Sequence, residues 1–98
     1  MKIEKVQNGK SLVIALEGRL DTTTAPELEA AIKESIEGIN DFALDFAKLE
    51  YISSAGLRVL LSAQKTMNKQ GKMVVKNVCD EIQEVFDITG FADILTIE

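Results

Sequence analysis

Two adjacent serines, Ser53 and Ser54, sit in the stretch KLEYISSAGLRVLLSAQK at residues 48–65, between a strand-like run and an apolar helical pattern. A serine in such a turn can attack a carbonyl, cap a helix or accept a phosphoryl group. The first role needs a general base and a strained G-x-S-x-G elbow. The chain has no such motif and no histidine at all, which argues against nucleophilic catalysis. Capping suits both serines, because a hydroxyl at a helix entrance satisfies an otherwise unpaired backbone N–H. A modified serine stays open beside it. Asp21 followed by Thr22, Thr23 and Thr24 has the residue types of an acid/base or metal site, and equally those of Asx and Ser/Thr turns before a helix. The sequence NGKS at residues 8–11 imitates the end of a phosphate-binding loop. That loop needs a glycine where Glu4 stands and a helix after the serine, whereas a strand pattern follows. Asp45 lies in a strand pattern with no second titratable group beside it, which points to hydrogen bonding rather than catalysis.

The whole chain narrows the choice further. Its 98 residues suffice for one core and for one domain, residues 1–98. A formal charge of −5 with lysines scattered singly argues against a nucleic-acid face and in favour of a protein partner. Cys79 is the only cysteine, which rules out an internal disulfide and a cysteine metal cluster, and no cofactor or metal is implied. No apolar run reaches the ~18 residues of a membrane span, and MKIEKVQNGK lacks the apolar core of a signal peptide. The expectation is a cytoplasmic protein that is not inserted in a membrane.

The elements that must position these residues follow from periodicity. KIEKVQ and SLVIALE flank Asn8-Gly9, the dipeptide favoured where both turn residues need positive φ, and predict a β-hairpin. In TAPELEAAIKESI, Thr24 and Glu27 are spaced as a capping box, and Leu28, Ala31, Ile32 and Ile36 recur at helical spacing up to Gly38 and Asn40. DFALDF reads as a central strand. From Ser53 or Ser54 a second helix places Leu57, Leu60, Leu61 and Met67 on one face and ends at Gly71. KMVVKNV predicts a strand, EIQEVFDIT a helix capped by Asp80 and stopped by Gly90, and DILTI a closing strand. A hairpin followed by alternating helices and strands is an α/β fold, with a mixed sheet, part of it parallel, covered by helices.

In this order, EGRLDTTTAPEL, LDFAKLEYISSAGLRVLL and VKNVCDEIQEVFDITGFADILTI resemble the STAS domain of bacterial anti-sigma-factor antagonists over nearly the whole chain. The most specific block is Ser53-Ser54-Ala55-Gly56-Leu57, which is similar to the family's D-S-[ST]-G-L. Here Ser53 stands for the aspartate and Ala55 for the second hydroxyl residue. The resemblance implies a STAS-like single domain that is not an enzyme. It puts the family's phosphorylated serine on Ser54, with Ser53 as the alternative acceptor. It also implies a partner-binding surface made of the loop at Asp21, Thr22 and Thr23 together with Ser53, Ser54, Ala55, Gly56, Leu57 and Arg58. The implied partners are an anti-sigma factor that is also a serine kinase, and a phosphoserine phosphatase. Unphosphorylated protein would bind the anti-sigma factor and release the sigma factor, and phosphorylation would break that complex. The alternative within the family is a non-switching STAS subunit of a membrane-associated lipid or anion transport assembly.

Overall fold

The computed structural model describes all 98 residues. Strands β1 (Lys2–Asn8) and β2 (Ser11–Leu20) form an antiparallel hairpin. They are followed by α1 (Ala25–Ser35), β3 (Asp41–Ile52), α2 (Ser54–Asn68), β4 (Lys72–Lys76), α3 (Asp80–Thr89) and a 3-10 turn at Phe91–Asp93. The sheet order is β1-β2-β3-β4, with β3 parallel to both β2 and β4. Each parallel step is a strand-helix-strand crossover, and two crossovers of the same hand stepping in the same direction lay α1 and α2 on one face of the sheet.

That face is the core. Leu12, Ile14, Leu16 and Leu20 of β2 and Phe42, Leu44 and Phe46 of β3 meet Leu28 and Ile32 of α1, Leu57, Leu60 and Met67 of α2, and Ile82 and Phe86 of α3. The Phe46 and Phe86 rings lie 6.5 Å apart between centroids and join α3 to the strand. Leu61, expected on the same helical face as Leu57 and Leu60, is only half-buried, while Val59, Ala63 and Gln64 are buried instead. The opposite face of the sheet carries no helix of this core: Ala43 and Val74 are buried there outside the main cluster, and Val6 and Val13 remain 61% and 39% exposed.

Strand β3 outlasts its regular alternation because it is bulged twice. Register slips between Ala15↔Asp45 and Glu17↔Lys48, and again between Gly18↔Leu49 and Arg19↔Tyr51. Each extra residue resets the pleat, so that Phe46, Leu49 and Ile52, spaced by three, all point into the core. At the first bulge Asp45 accepts hydrogen bonds from the Asn77 side-chain amide at 2.9 Å and from the Ala47 N–H at 3.0 Å. Asn77 itself takes a left-handed backbone, φ 58°, at the end of β4. The Asn77 amide first, and then the Ala47 N–H, hold the Asp45 carboxyl below its ordinary 3.8. A depressed folded-state pKa contributes stability that is present above the unfolded value and lost as pH falls through the folded one. The Asp45→Ala variant is therefore expected to be destabilised by about 1 kcal/mol at neutral pH. In urea titrations, its deficit relative to wild type should shrink as pH drops below 3.8.

Several local expectations are corrected. The hairpin forms, but its loop is Gly9-Lys10; Gly9 alone has positive φ, at 58°, and Asn8 pairs with Ser11 as the last strand residue. The Thr24–Glu27 capping box is absent, because Thr24 already has a helical backbone and its hydroxyl turns back to the Arg19 carbonyl at 2.8 Å. Asp80 is the first residue of α3 rather than its cap. The cap position is Cys79, whose carbonyl accepts from the Gln83 N–H at 2.9 Å, and Asp80 acts with Glu81 as first-turn negative charge. DILTI does not make a fifth strand. Its start belongs to the 3-10 turn, Leu95 drops into the core, and only Ile97 forms a single parallel bridge, to Val75. Gly90 does end α3 in the left-handed conformation, φ 82°.

Candidate functional site

Both candidate segments emerge from the same end of the sheet. Leu20 and Ile52 are register partners at the C-terminal ends of the parallel strands β2 and β3, and both are buried. One residue further, the Ser53 N–H donates to the Leu20 carbonyl at 2.9 Å, so the last rung of the ladder leads directly into the helix start. Such ends of parallel strands are where α/β sheets present their loops for binding.

The Asp21 loop is a self-contained turn. Its carboxylate Oδ1 accepts from the Thr23 hydroxyl at 2.8 Å, the Thr23 N–H at 3.0 Å and the Thr24 N–H at 3.1 Å. The Asp21 N–H donates to the Thr24 hydroxyl oxygen at 2.8 Å, and the Asp21 carbonyl receives the Ala25 N–H at 2.8 Å. The Thr23 hydroxyl is the largest cause that holds the Asp21 carboxyl below its usual range; desolvation, next in size, opposes it, and the Thr24 and Thr23 N–H groups add to the lowering. A carboxylate kept ionised this way is an acceptor, not a general acid. Its local work is to fold the entrance of α1, the part that Thr24 was expected to play.

At the other segment the two serines divide the work. Ser53 has an extended backbone, φ −100° and ψ 174°, and its Oγ accepts from the Gly56 N–H at 3.3 Å, so it is the N-cap of α2. Ser54 is the first residue of the helix and is exposed. Gly56 lets the helix sit down on the sheet: a Cβ there would come within 2.7 Å of Leu20 Cγ and 3.0 Å of Ile52 Cγ1. Gly56 and Leu57, expected among the partner contacts, lie beneath the surface of the turn. Both are buried, and their part is to seat the turn from beneath.

Part of the expected surface comes together, while the exposed Thr23 and Ser54 stand outside it. Thr22, Ala55 and Arg58 line a shallow groove between the first turns of α1 and α2, with Pro26, Glu29 and Val59. Two residues escaped the sequence reading: Arg19 stacks over the Tyr51 ring, 4.1 Å from its centroid, one register step before Leu20 and Ile52. Tyr51 is 40% exposed. Both flank the motifs in sequence, but only the bulged register pairs them. No group of three or more acidic, histidine or cysteine side chains is arranged to hold a metal. What the site offers chemically is one free hydroxyl on a helix start, where unpaired N–H groups and the helix dipole favour an anion.

The STAS domain family model matches residues 2–98. BtrV of Bordetella bronchiseptica is 34% identical over 99 aligned positions, which cover 99% of this chain and 85% of the relative. The anti-sigma-B factor antagonist of Staphylococcus epidermidis is 29% identical, covering 99% of this chain and 92% of the relative. Among solved structures, the Bacillus anti-sigma factor antagonist SpoIIAA superimposes with a TM-score of 0.78 in its unphosphorylated form and 0.77 in its phosphorylated form. Both are 19% identical and cover 99% of this chain; the chain in turn covers 87% and 91% of them. With a family match from β1 to the last residue and a relative 34% identical over nearly the whole chain, the chain belongs to the STAS domain family of anti-sigma-factor antagonists.

Proposed function

We propose that the protein is an anti-sigma-factor antagonist that switches partners through Ser54. In the unphosphorylated form the Ser54 turn, the Asp21 loop and the groove between α1 and α2 bind an anti-sigma factor that is also a serine kinase, and the sigma factor is released. The kinase transfers the γ-phosphoryl group of ATP to the Ser54 hydroxyl, with loss of its proton and release of ADP, and the complex breaks. A phosphoserine phosphatase restores the first form.

The observation that carries this reading is the division of labour at the helix start. Ser53 makes the capping hydrogen bond, while Ser54 is exposed beside it with no bond of its own to lose. A phosphate there adds about −1.5 to −2 charges at a position where the helix start stabilises an anion by roughly 0.3–1 kcal/mol. ATP chemistry and the catalytic base belong to the partner, which suits a chain without histidine or a phosphate-binding loop. Incubation with the cognate kinase and ATP, followed by phosphopeptide mass spectrometry, is expected to find phosphate on Ser54 and none in the Ser54→Ala variant. Phosphate on Ser53 in the wild type would overturn the assignment.

A further inference from the structure

The face of the sheet away from the helices presents exposed Val6 and Val13 beside Ala43 and Val74, which are already buried in the single chain. Register places Val6, Val13, Ala43 and Val74 in one row across all four strands, an apolar stripe perpendicular to them. The rows on either side are charged unevenly. One holds Asn8, Ser11, Asp41 and Lys72; the other holds Glu4, Ala15, Asp45 and Lys76. Basic charge in these rows is therefore confined to β4, and acid lies on β1 and β3. The chain offers no helix for this face, since α1, α2 and α3 are all committed to the core on the other side.

From this arrangement we infer that two copies pack sheet to sheet about a two-fold axis parallel to the strands. Two face-to-face arrangements have a two-fold axis in the plane between the sheets. If the axis runs across the strands, the charged rows exchange, and Lys72 falls opposite the second copy's Lys76 while Asp41 falls opposite its Asp45. Like charges then confront each other on two strands. If the axis runs along the strands, each row faces itself with its order reversed. Val6 then meets Val74, Val13 meets Ala43, and Glu4 of each copy meets Lys76 of the other. The charges select the second arrangement, and it is isologous, so it closes at a dimer. Aligned sheets pack about 10 Å apart, a gap that a glutamate and a lysine reaching from both sides can bridge. Glu4 has one partner within its own chain, Lys2 at 3.3 Å, but both side chains are well exposed, and such a pair holds its members weakly.

The size of the face sets the strength. Four strands about 4.8 Å apart and about five residues long at ~3.3 Å each offer roughly 300 Å² per copy. A standard interface buries about 800 Å² per partner, so the association is reversible and concentration-dependent. It also leaves the Ser54 turn free, because that turn belongs to the loops at the end of the sheet and not to its face.

Sedimentation and light scattering over a dilution series from micromolar to millimolar test this with the full chain. The wild type is expected to move from 10.8 kDa toward twice that mass. Glu4→Lys and Lys76→Glu should each raise the midpoint concentration by about tenfold or more, since each turns two attractions into two repulsions. The double variant Glu4→Lys/Lys76→Glu should return it to near the wild-type value. Both substitutions are at exposed positions, and far-ultraviolet circular dichroism checks that each of the three variants is folded. A wild type that stays monomeric into the millimolar range overturns the proposal. So does a dimer indifferent to both single substitutions, which would place the contact elsewhere, or a double variant that fails to recover.

Discussion

The Gly71→Ala variant is expected to lose roughly 3 kcal/mol of stability, at or beyond the upper end of ordinary overpacking. Gly71 closes α2, its N–H donating to the Met67 carbonyl at 2.7 Å. Its φ lies outside the left-handed range, so the requirement for glycine is not conformational. It is one of space, because a Cβ at this position would land on the Asn40 carbonyl group. Neither wall can move aside. Asn40 is held by its N–H to the Lys10 carbonyl at 3.0 Å, and its own carbonyl receives the Lys72 N–H at 3.1 Å. Backbone opposes backbone, with no flexible side chain to yield. Urea denaturation should show the loss, and Gly38→Ala provides the contrast. Gly38 has open space around its missing Cβ but a φ of 80°, so alanine there should cost about 1 kcal/mol through backbone strain alone. Equal losses at the two positions would remove the close-contact explanation.

The second large effect concerns binding. Ser54→Asp is expected to weaken the complex with the anti-sigma factor by about one to three decades, while leaving the fold intact. The two outcomes have separate causes. In the free protein the added charge sits on an exposed first-turn position of α2, where the helix dipole favours it, so unfolding curves should match those of wild type within about 0.5 kcal/mol. In the complex the same charge is pressed against a partner without a counter-ion. Leaving it desolvated and unpaired costs roughly 2–5 kcal/mol. Ser54→Ala should bind like wild type and refuse the phosphoryl group. Ser53→Ala should do the reverse, losing about 1 kcal/mol of helix capping while still being phosphorylated on Ser54. Calorimetric titration of the three variants against the kinase separates these roles, and equal affinity throughout would remove the switch.

Most of the fold was legible because alternation and helical spacing are carried by residues that must be buried. The Ser53-Ser54 entrance to α2 was equally plain, and the structure sharpened it by giving the cap to one serine and exposure to the other. What escaped depended on tertiary partners. DILTI has the composition of a strand, yet Leu95 is worth more in the core than in a ladder, and the 3-10 turn delivers it there. Thr24 has the spacing of a cap, but its hydroxyl is drawn to the Arg19 carbonyl, and the Glu27 N–H it would have served donates to the Thr24 carbonyl instead. Arg19 and Tyr51 meet only because two bulges shift β3 against β2, and no local pattern announces a bulge before the register is known. Gly71 was correctly read as a stop. Its reason, an approach to residue 40, lies in a segment far away in the chain.

The strand order carries a last consequence, for synthesis on the ribosome. Because β1, β2, β3 and β4 lie side by side in the order in which they are made, each new strand joins the edge left by the one before, and no completed pair has to part to admit it. Besides the outer edge of β1, the growing chain thus always has an unpaired edge on its newest strand, the feature that invites a wrong neighbour. Residues 96–98 cover the middle of the β4 edge: the Val75 N–H donates to the Thr96 carbonyl at 2.9 Å, and the Glu98 N–H donates to the Val75 carbonyl at 2.9 Å. The segment that shields β4 therefore leaves the exit tunnel after all four strands, and a nascent chain stalled before Thr96 keeps that edge open to a wrong neighbour.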